Sequence, residues 1–221
     1  MLLAGCASTP SSIDVGLFPE TVPSNICYLK TTRQIRFLGL KTSFNATGTL
    51  FRDRYLVTAG HNVYDSWRTR LIGVDVFCKG VRGAVVHSRL ESDQIERNRL
   101  VSQYDETFNN DYAFLRLEET IDVVPSLSLP EAHILDSVET ISVAGYPGGL
   151  LTQGSGLVVK PLPSDGTFYY EVDTAKGMSG GPVWTEQEIL VGVHVAEGRA
   201  RLVDPAMITL FNQWIESFNE D

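Results

Sequence analysis

The sequence predicts an all-β chain of two β-barrels closed by one C-terminal helix, and three observations carry that expectation. From Ile26 to Val86 the text is a series of short β-type runs. They include Arg36-Phe37-Leu38-Gly39-Leu40, Gly48-Thr49-Leu50-Phe51 and Tyr55-Leu56-Val57-Thr58, each broken by Gly, Asn or charged turns and free of helical periodicity. A second set follows a connecting stretch near residues 118–136: Thr140–Ala144, Gly156–Val159, Phe168–Val172 and Ile189–Val193. Only the end changes character. There Asp204 can cap a helix, Pro205 suits its first turn, and Met207, Leu210, Phe211, Trp214, Ile215 and Phe218 recur at three- and four-residue spacing. The expected division is residues 1–24 as leader remnant and tether, 25–125 as the first barrel and 126–221 as the second with its helix.

Composition narrows the function. The 221 residues are 43% hydrophobic and 20% charged, enough apolar material for a real core and too much for wholesale disorder or a fibrous repeat. Lys and Arg number 18 against 27 Asp and Glu, a net charge of -9 that repels a phosphate backbone, and no basic run overrides it. Nucleic acid is therefore not an expected partner. The apolar stretches fall short of the roughly 18 residues needed to span a bilayer.

The first residues, Met1-Leu2-Leu3-Ala4-Gly5-Cys6, end in Leu-Ala-Gly-Cys, which resembles the lipobox at which bacterial signal peptides are cut and the cysteine is acylated. Only five residues precede Cys6, so translation beginning upstream of Met1 and a trimmed chain are both open, as is a cysteine with no such role. Residues 7–16 are small and polar, as a flexible tether would be. An acylated Cys6 makes the chain an exported, periplasmic or cell-surface lipoprotein whose contact with a membrane runs through that lipid, and a monomer is expected. Cys27 and Cys78 then remain as an even pair; one disulfide between them and two separately buried thiols are both consistent with the sequence. His61, His87, His133 and His194 are scattered, with no Cys-x-x-Cys or His-x-x-x-His pair, so neither metal nor cofactor is expected.

Three short segments carry chemistry in combination. Leu56-Val57-Thr58-Ala59-Gly60-His61 is a strand running into a small-residue turn that ends on histidine. Asn110-Asp111-Tyr112-Ala113-Phe114-Leu115 sets an aspartate before an apolar strand, and Gly177-Met178-Ser179-Gly180-Gly181-Pro182-Val183 surrounds a serine with glycines that permit a tight turn. Taken singly they read as a surface or core histidine, a turn aspartate and a plain Gly-rich turn. Gly-x-Ser-x-Gly also matches the nucleophile elbow of α/β-hydrolases, but that elbow needs a helix after the serine and a histidine last in order. Gly180-Gly181-Pro182 resists helix, and no histidine follows Asp204.

The order His61, Asp111, Ser179 resembles that of chymotrypsin-like (trypsin-fold) serine proteases, over about residues 25–218. Thr58-Ala59-Gly60-His61-Asn62-Val63, Asn110-Asp111-Tyr112-Ala113, Ala144-Gly145-Tyr146-Pro147-Gly148 and Ser179-Gly180-Gly181-Pro182-Val183 look most like the bacterial glutamyl endopeptidases of the staphylococcal and bacillar type. The resemblance implies two packed six-stranded antiparallel barrels with the site in the cleft between them. It implies Ser179 as nucleophile, His61 as general base and Asp111 as the group that orients the imidazole. The amides of Gly177 and Ser179 are then the oxyanion hole, and substrates are proteins or peptides. Digestive members carry an aspartate just before the serine that pairs with a newly cut N-terminus; here that position is Met178, so a tethered N-terminus is compatible with activity.

Specificity rests on three more positions. Thr174 and His194 occupy the places of the threonine and histidine of glutamyl endopeptidases, implying cleavage after Glu, with Asp second. Asp173 sits where trypsin-type enzymes select Lys or Arg, although bacillar glutamyl enzymes look similar in carrying Asp-Thr there. The sequence is also compatible with a catalytically silent binding module of the same fold and with a hydrolase of non-peptide esters.

Overall fold

The computed structural model describes residues 23–79, 85–92, 95, 108–121, 126–131, 134–162 and 165–218. The lipobox with Cys6, the tether and His133 lie outside these residues. The first sheet contains β1 (Ile26–Ile35), β2 (Lys41–Arg52), β3 (Tyr55–Thr58), β4 (Thr69–Lys79), β5 (Val85–Glu91) and β6 (Ala113–Arg116). Its strand order is β5-β4-β1-β2-β3-β6 and every pairing is antiparallel. A second six-stranded antiparallel sheet has the order β8-β7-β10-β11-β12-β9. It is built from β7 (Thr140–Gly145), β8 (Thr152–Leu157), β9 (Thr167–Tyr169), β10 (Pro182–Trp184), β11 (Leu190–Ala196) and β12 (Arg199–Leu202). The expected all-β architecture of two six-stranded antiparallel units with a terminal helix is found, each unit being a half-barrel sheet.

Register fixes what each strand presents. Cys27 on β1 faces Cys78 on β4, their Cα atoms 4.4 Å apart, and the two are joined by a disulfide that closes 51 residues of chain. Both are fully buried in the core of the first sheet, among Leu29, Leu71 and Val76. A second cluster fills the second sheet around Phe168, Val183 and Val191 and takes in Met178, the residue before Ser179.

A third cluster joins the two halves. Helix α1 (Pro205–Glu216) starts as its sequence requires: Asp204 Oδ1 accepts from the Met207 amide at 2.7 Å and Pro205 fills the first turn. Its buried stripe of Met207, Phe211 and Ile215 packs on residues of both sheets, including Phe51, Phe114 and Val193. Phe211 meets Phe51 at 5.0 Å and Phe114 at 5.2 Å between ring centroids, geometries worth about 0.5–1.5 kcal/mol each beyond their buried area. Phe114 lies on β6, three residues after Asp111, so the terminal helix packs on the strand that follows that aspartate. Asn25 adds a polar clasp: its Nδ2 donates to the Leu50 carbonyl, and its Oδ1 accepts from the amides of Ser126 and Leu127.

One expected strand is corrected. Arg36–Leu40 is the reversal between β1 and β2, because Gly39 adopts φ +66°, a left-handed conformation that glycine takes without steric penalty. The Ile35 amide donates to the Leu40 carbonyl at 2.8 Å and the Gly39 amide to the Ile35 carbonyl at 2.9 Å. The apolar side chains of that run consequently face outward. Two other expected strands end early: the Phe168–Val172 run leaves the sheet after Tyr169, and the Gly156–Val159 run after Leu157, with Val158 and Tyr170 continuing only as an isolated bridge.

Candidate active site

Each of the three chemistry-bearing segments lands where a strand ends. β3 runs into a single 3-10 turn, Gly60–Asn62, that carries His61. Asp111 is separated only by Tyr112 from the start of β6, which pairs with β3 through Thr58↔Ala113, so the aspartate and the histidine turn come to the same end of this strand pair. The His61 amide donates to Asp111 Oδ1 at 2.7 Å, and His61 Nδ1 lies 2.7 Å from Asp111 Oδ2. A carboxylate only accepts, so Nδ1 is the donor of this pair, and in the neutral form of the imidazole Nε2 is the acceptor. Asp111 is 5% exposed while the His61 side chain is 31% exposed, which leaves the imidazole reachable.

Ser179 sits in the loop from Gly177 to Gly181, docked on β2. Its carbonyl accepts from the Thr47 amide at 3.0 Å and from Asn62 Nδ2 at 2.9 Å. Asn62 follows His61 directly, so this bond ties the histidine turn to the serine loop. Thr47 Oγ1 donates to the Gly177 carbonyl at 2.7 Å and accepts from the Tyr146 amide at 2.9 Å, and Thr49 Oγ1 donates to the Gly180 carbonyl at 3.0 Å. The glycines are required by contact: a Cβ on Gly180 would lie 2.0 Å from the Thr47 carbonyl, and one on Gly177, at φ +107°, 2.6 Å from that of Tyr146. The amides of Gly177 and Ser179 make no hydrogen bond among the described residues, so both are available as donors. Met178 is 1% exposed within the second core and its Sδ accepts from the Ala175 amide; the serine loop is thus anchored by an apolar side chain.

Of the three specificity positions, His194 lies deepest. It is 2% exposed on β11, its amide donates to the Gly181 carbonyl, and its carbonyl accepts from the Gly180 amide. Its Nδ1 lies 2.5 Å from the hydroxyl of Tyr170. Burial holds the Tyr170 phenol well above its ordinary range, so the hydroxyl stays protonated and donates, which places the ring hydrogen of His194 on Nε2. Burial first, and the charge of nearby His61 second, push His194 down to about 4 against a smaller upward pull from the Arg199 backbone. His194 is therefore a neutral donor at pH 7. Thr174 is half-buried; Asp173 is exposed and lines an open cavity of about 640 Å3 together with Tyr170, Glu171 and Glu197. No cluster of three or more metal-ligating side chains occurs among the described residues.

Comparison with known proteins agrees with this fold. The sequence model of the trypsin-like peptidase domain family matches residues 46–193, a span holding His61, Asp111 and Ser179. A Glu endopeptidase structure in complex with MPD shares 21% identity at a TM-score of 0.63, over 88% of this chain and 91% of that one. HL collagenase shares 19% at 0.62, over 90% and 94%, and the thermostable serine protease AL20 from an extremophilic microorganism 16% at 0.62, over 86% and 96%. No curated protein sequence matches. Two antiparallel half-barrels with a histidine–aspartate pair and a glycine-flanked serine where they meet define the trypsin-like serine protease fold. The chain belongs to the trypsin-like peptidase domain family.

The depressed titration of His194 links the site to stability. Between pH 6.5 and 4 the unfolded chain binds a proton at this residue that the folded chain does not, so stability falls as pH drops through that window, by ~3 kcal/mol in full. Urea unfolding of wild type and His194→Gln at pH 7.5 and 4.5 reads this directly. The stability difference between the two proteins should shift toward the variant by about 2–3 kcal/mol at the lower pH; a pH-independent difference would contradict the assignment.

Proposed function

We propose that the chain is a serine endopeptidase that hydrolyses peptide bonds through an acyl-enzyme, cleaving after glutamate with aspartate second. The observation that carries the hydrolytic reading is the bonded His61–Asp111 pair, tied through Asn62 to the loop of Ser179. In this reading His61 Nε2 takes the hydroxyl proton of Ser179 as the oxygen attacks the substrate carbonyl, and Asp111 stabilises the resulting imidazolium. The developing oxyanion is met by the amides of Gly177 and Ser179, donors of a kind whose loss typically costs ~2.7–4 kcal/mol. The imidazolium then gives its proton to the leaving amine, and water entering on the same path releases the acyl group.

Acidic specificity follows from the donors available. A carboxylate entering a partly dry pocket costs several kcal/mol unless hydrogen-bonded, and the Nε2–H of His194 with the hydroxyl of Thr174 supply that. The structural likeness to a protein described as a Glu endopeptidase supports the same reading. Lys or Arg specificity is the rival, favoured by the three carboxylates of Glu171, Asp173 and Glu197 around the open cavity. Matched peptides with Glu, Asp, Lys, Arg or Phe before the scissile bond, with Ser179→Ala as the blank, separate the two. Glu is expected to be cleaved fastest, and His194→Ala to lower its kcat/KM about 10- to 100-fold more than that of Phe. Preference for Lys or Arg would overturn the reading.

The proposal extends to location: an exported lipoprotein acylated at Cys6, supported by the Leu-Ala-Gly-Cys motif and by the Cys27–Cys78 disulfide, which suits an oxidising compartment. Mass spectrometry of the mature N-terminal peptide should find a lipid on Cys6; an unmodified Met1 or Cys6 would contradict it.

A further inference from the structure

We infer that the tip of the β1–β2 hairpin and the adjoining 66–70 segment form a docking surface for an anionic lipid membrane. Five described large hydrophobic side chains are exposed by 60% or more, and four of them gather here: Phe37 at 79%, Leu38 at 67%, Leu40 at 60% and Trp67 at 70%. The two segments are joined, since the Arg36 amide donates to the Arg68 carbonyl at 2.9 Å and Arg36 Nε to the Ser66 carbonyl at 3.3 Å. Single exposed apolar residues are ordinary, whereas a contiguous group of them marks an interaction site.

Charge identifies the occupant. The protein as a whole carries -9, yet no Asp or Glu occurs between Glu20 and Asp53. Arg36, Lys41, Arg68 and Arg70 are all exposed around the apolar tip, and the register sets Lys41 and Arg70 on either side of Gln34. Asp65, an acid at this edge, lies 3.4 Å from Arg36 and accepts from the Leu71 amide, so it is engaged by the rim itself. A local basic rim around Phe, Leu and Trp, on an otherwise acidic protein, complements an anionic surface with an apolar interior. The hairpin turn binds part of its own backbone, through the bonds between Ile35, Leu38, Gly39 and Leu40 and the donation of Gln34 Nε2 to the Gly39 carbonyl, which lowers the cost of entering a poorly hydrating layer.

The surface reaches the catalytic edge. Arg33 on β1 donates through its guanidinium to the His61 carbonyl at 2.7 Å. Docking by this face therefore sets the cleft beside the membrane, and the substrates it favours are polypeptide segments lying at or emerging from a lipid surface.

The test uses the full chain carrying Cys6→Ser, so that no acyl chain contributes, and co-sedimentation with vesicles of phosphatidylcholine alone or mixed with phosphatidylglycerol. Binding should occur to the anionic vesicles, fall with added salt, and shift the emission of Trp67 to shorter wavelength. Each basic residue near such a surface is worth about fivefold in partitioning, so Lys41→Gln with Arg70→Gln should weaken binding roughly 25-fold. Leu38→Ser with Trp67→Ser should weaken it at least tenfold, with unchanged thermal unfolding showing that the variants fold. A chain that stays in the supernatant with anionic vesicles at low salt overturns the proposal. So does binding unmoved by these substitutions, a dimer that they dissociate, or a loss confined to cleavage of a soluble protein substrate, which would assign the surface to a protein partner.

Discussion

Thr47 bonds through every polar atom it has, and its amide and hydroxyl join the two halves of the molecule. Its amide donates to the Ser179 carbonyl, its hydroxyl donates to the Gly177 carbonyl and accepts from the Tyr146 amide, and its carbonyl accepts from Thr58 Oγ1. The residue is fully buried, so none of these groups has water as an alternative partner, and each would cost about 1–3 kcal/mol if stranded. The serine loop consequently has one low-energy position, set from β2 of the opposite sheet. The glycines at Gly177, Gly180 and Gly145 are there because that contact leaves no space: a Cβ on Gly145 would lie 2.6 Å from the Met178 Cα. Thr58, which completes the network, opens the segment that delivers His61. The histidine turn and the serine loop are thus positioned by one shared set of buried bonds.

Much of this site was legible in the sequence because its parts are local. A strand followed by small residues and histidine, or an aspartate before an apolar strand, encodes its own geometry within a few residues. The terminal helix was legible for the same reason, its cap and stripe being contiguous text. Thr47 and Asn62 were not, since their roles exist only through contacts made 130 and 117 residues away in sequence. Tyr170 left a faint signal: in Phe168-Tyr169-Tyr170 the two-residue period turns positions 168 and 170 inward, and both are buried while Tyr169 is 41% exposed. What the period could not give was the partner, His194 on another strand.

The Arg36–Leu40 run shows the opposite failure. Five residues rich in large apolar side chains read as a β-type run, and hydrophobicity alone gives no other answer. Gly39 wins because a left-handed residue between two long antiparallel strands produces a reversal, and the reversal puts the side chains outside whatever their hydropathy. The feature that disguises the turn as a strand is also the one that gathers exposed apolar side chains into a contiguous group, and that group carries the membrane inference.

The central claim is that the His61–Asp111 pair activates Ser179. Fluorophosphonate labelling of the folded protein, with the adduct mapped to its peptide by mass spectrometry, tests it without knowledge of any substrate. Labelling at Ser179 in wild type, falling at least a hundredfold in rate in His61→Ala, is the predicted result. An unreactive Ser179, or equal labelling in the two proteins, would contradict it.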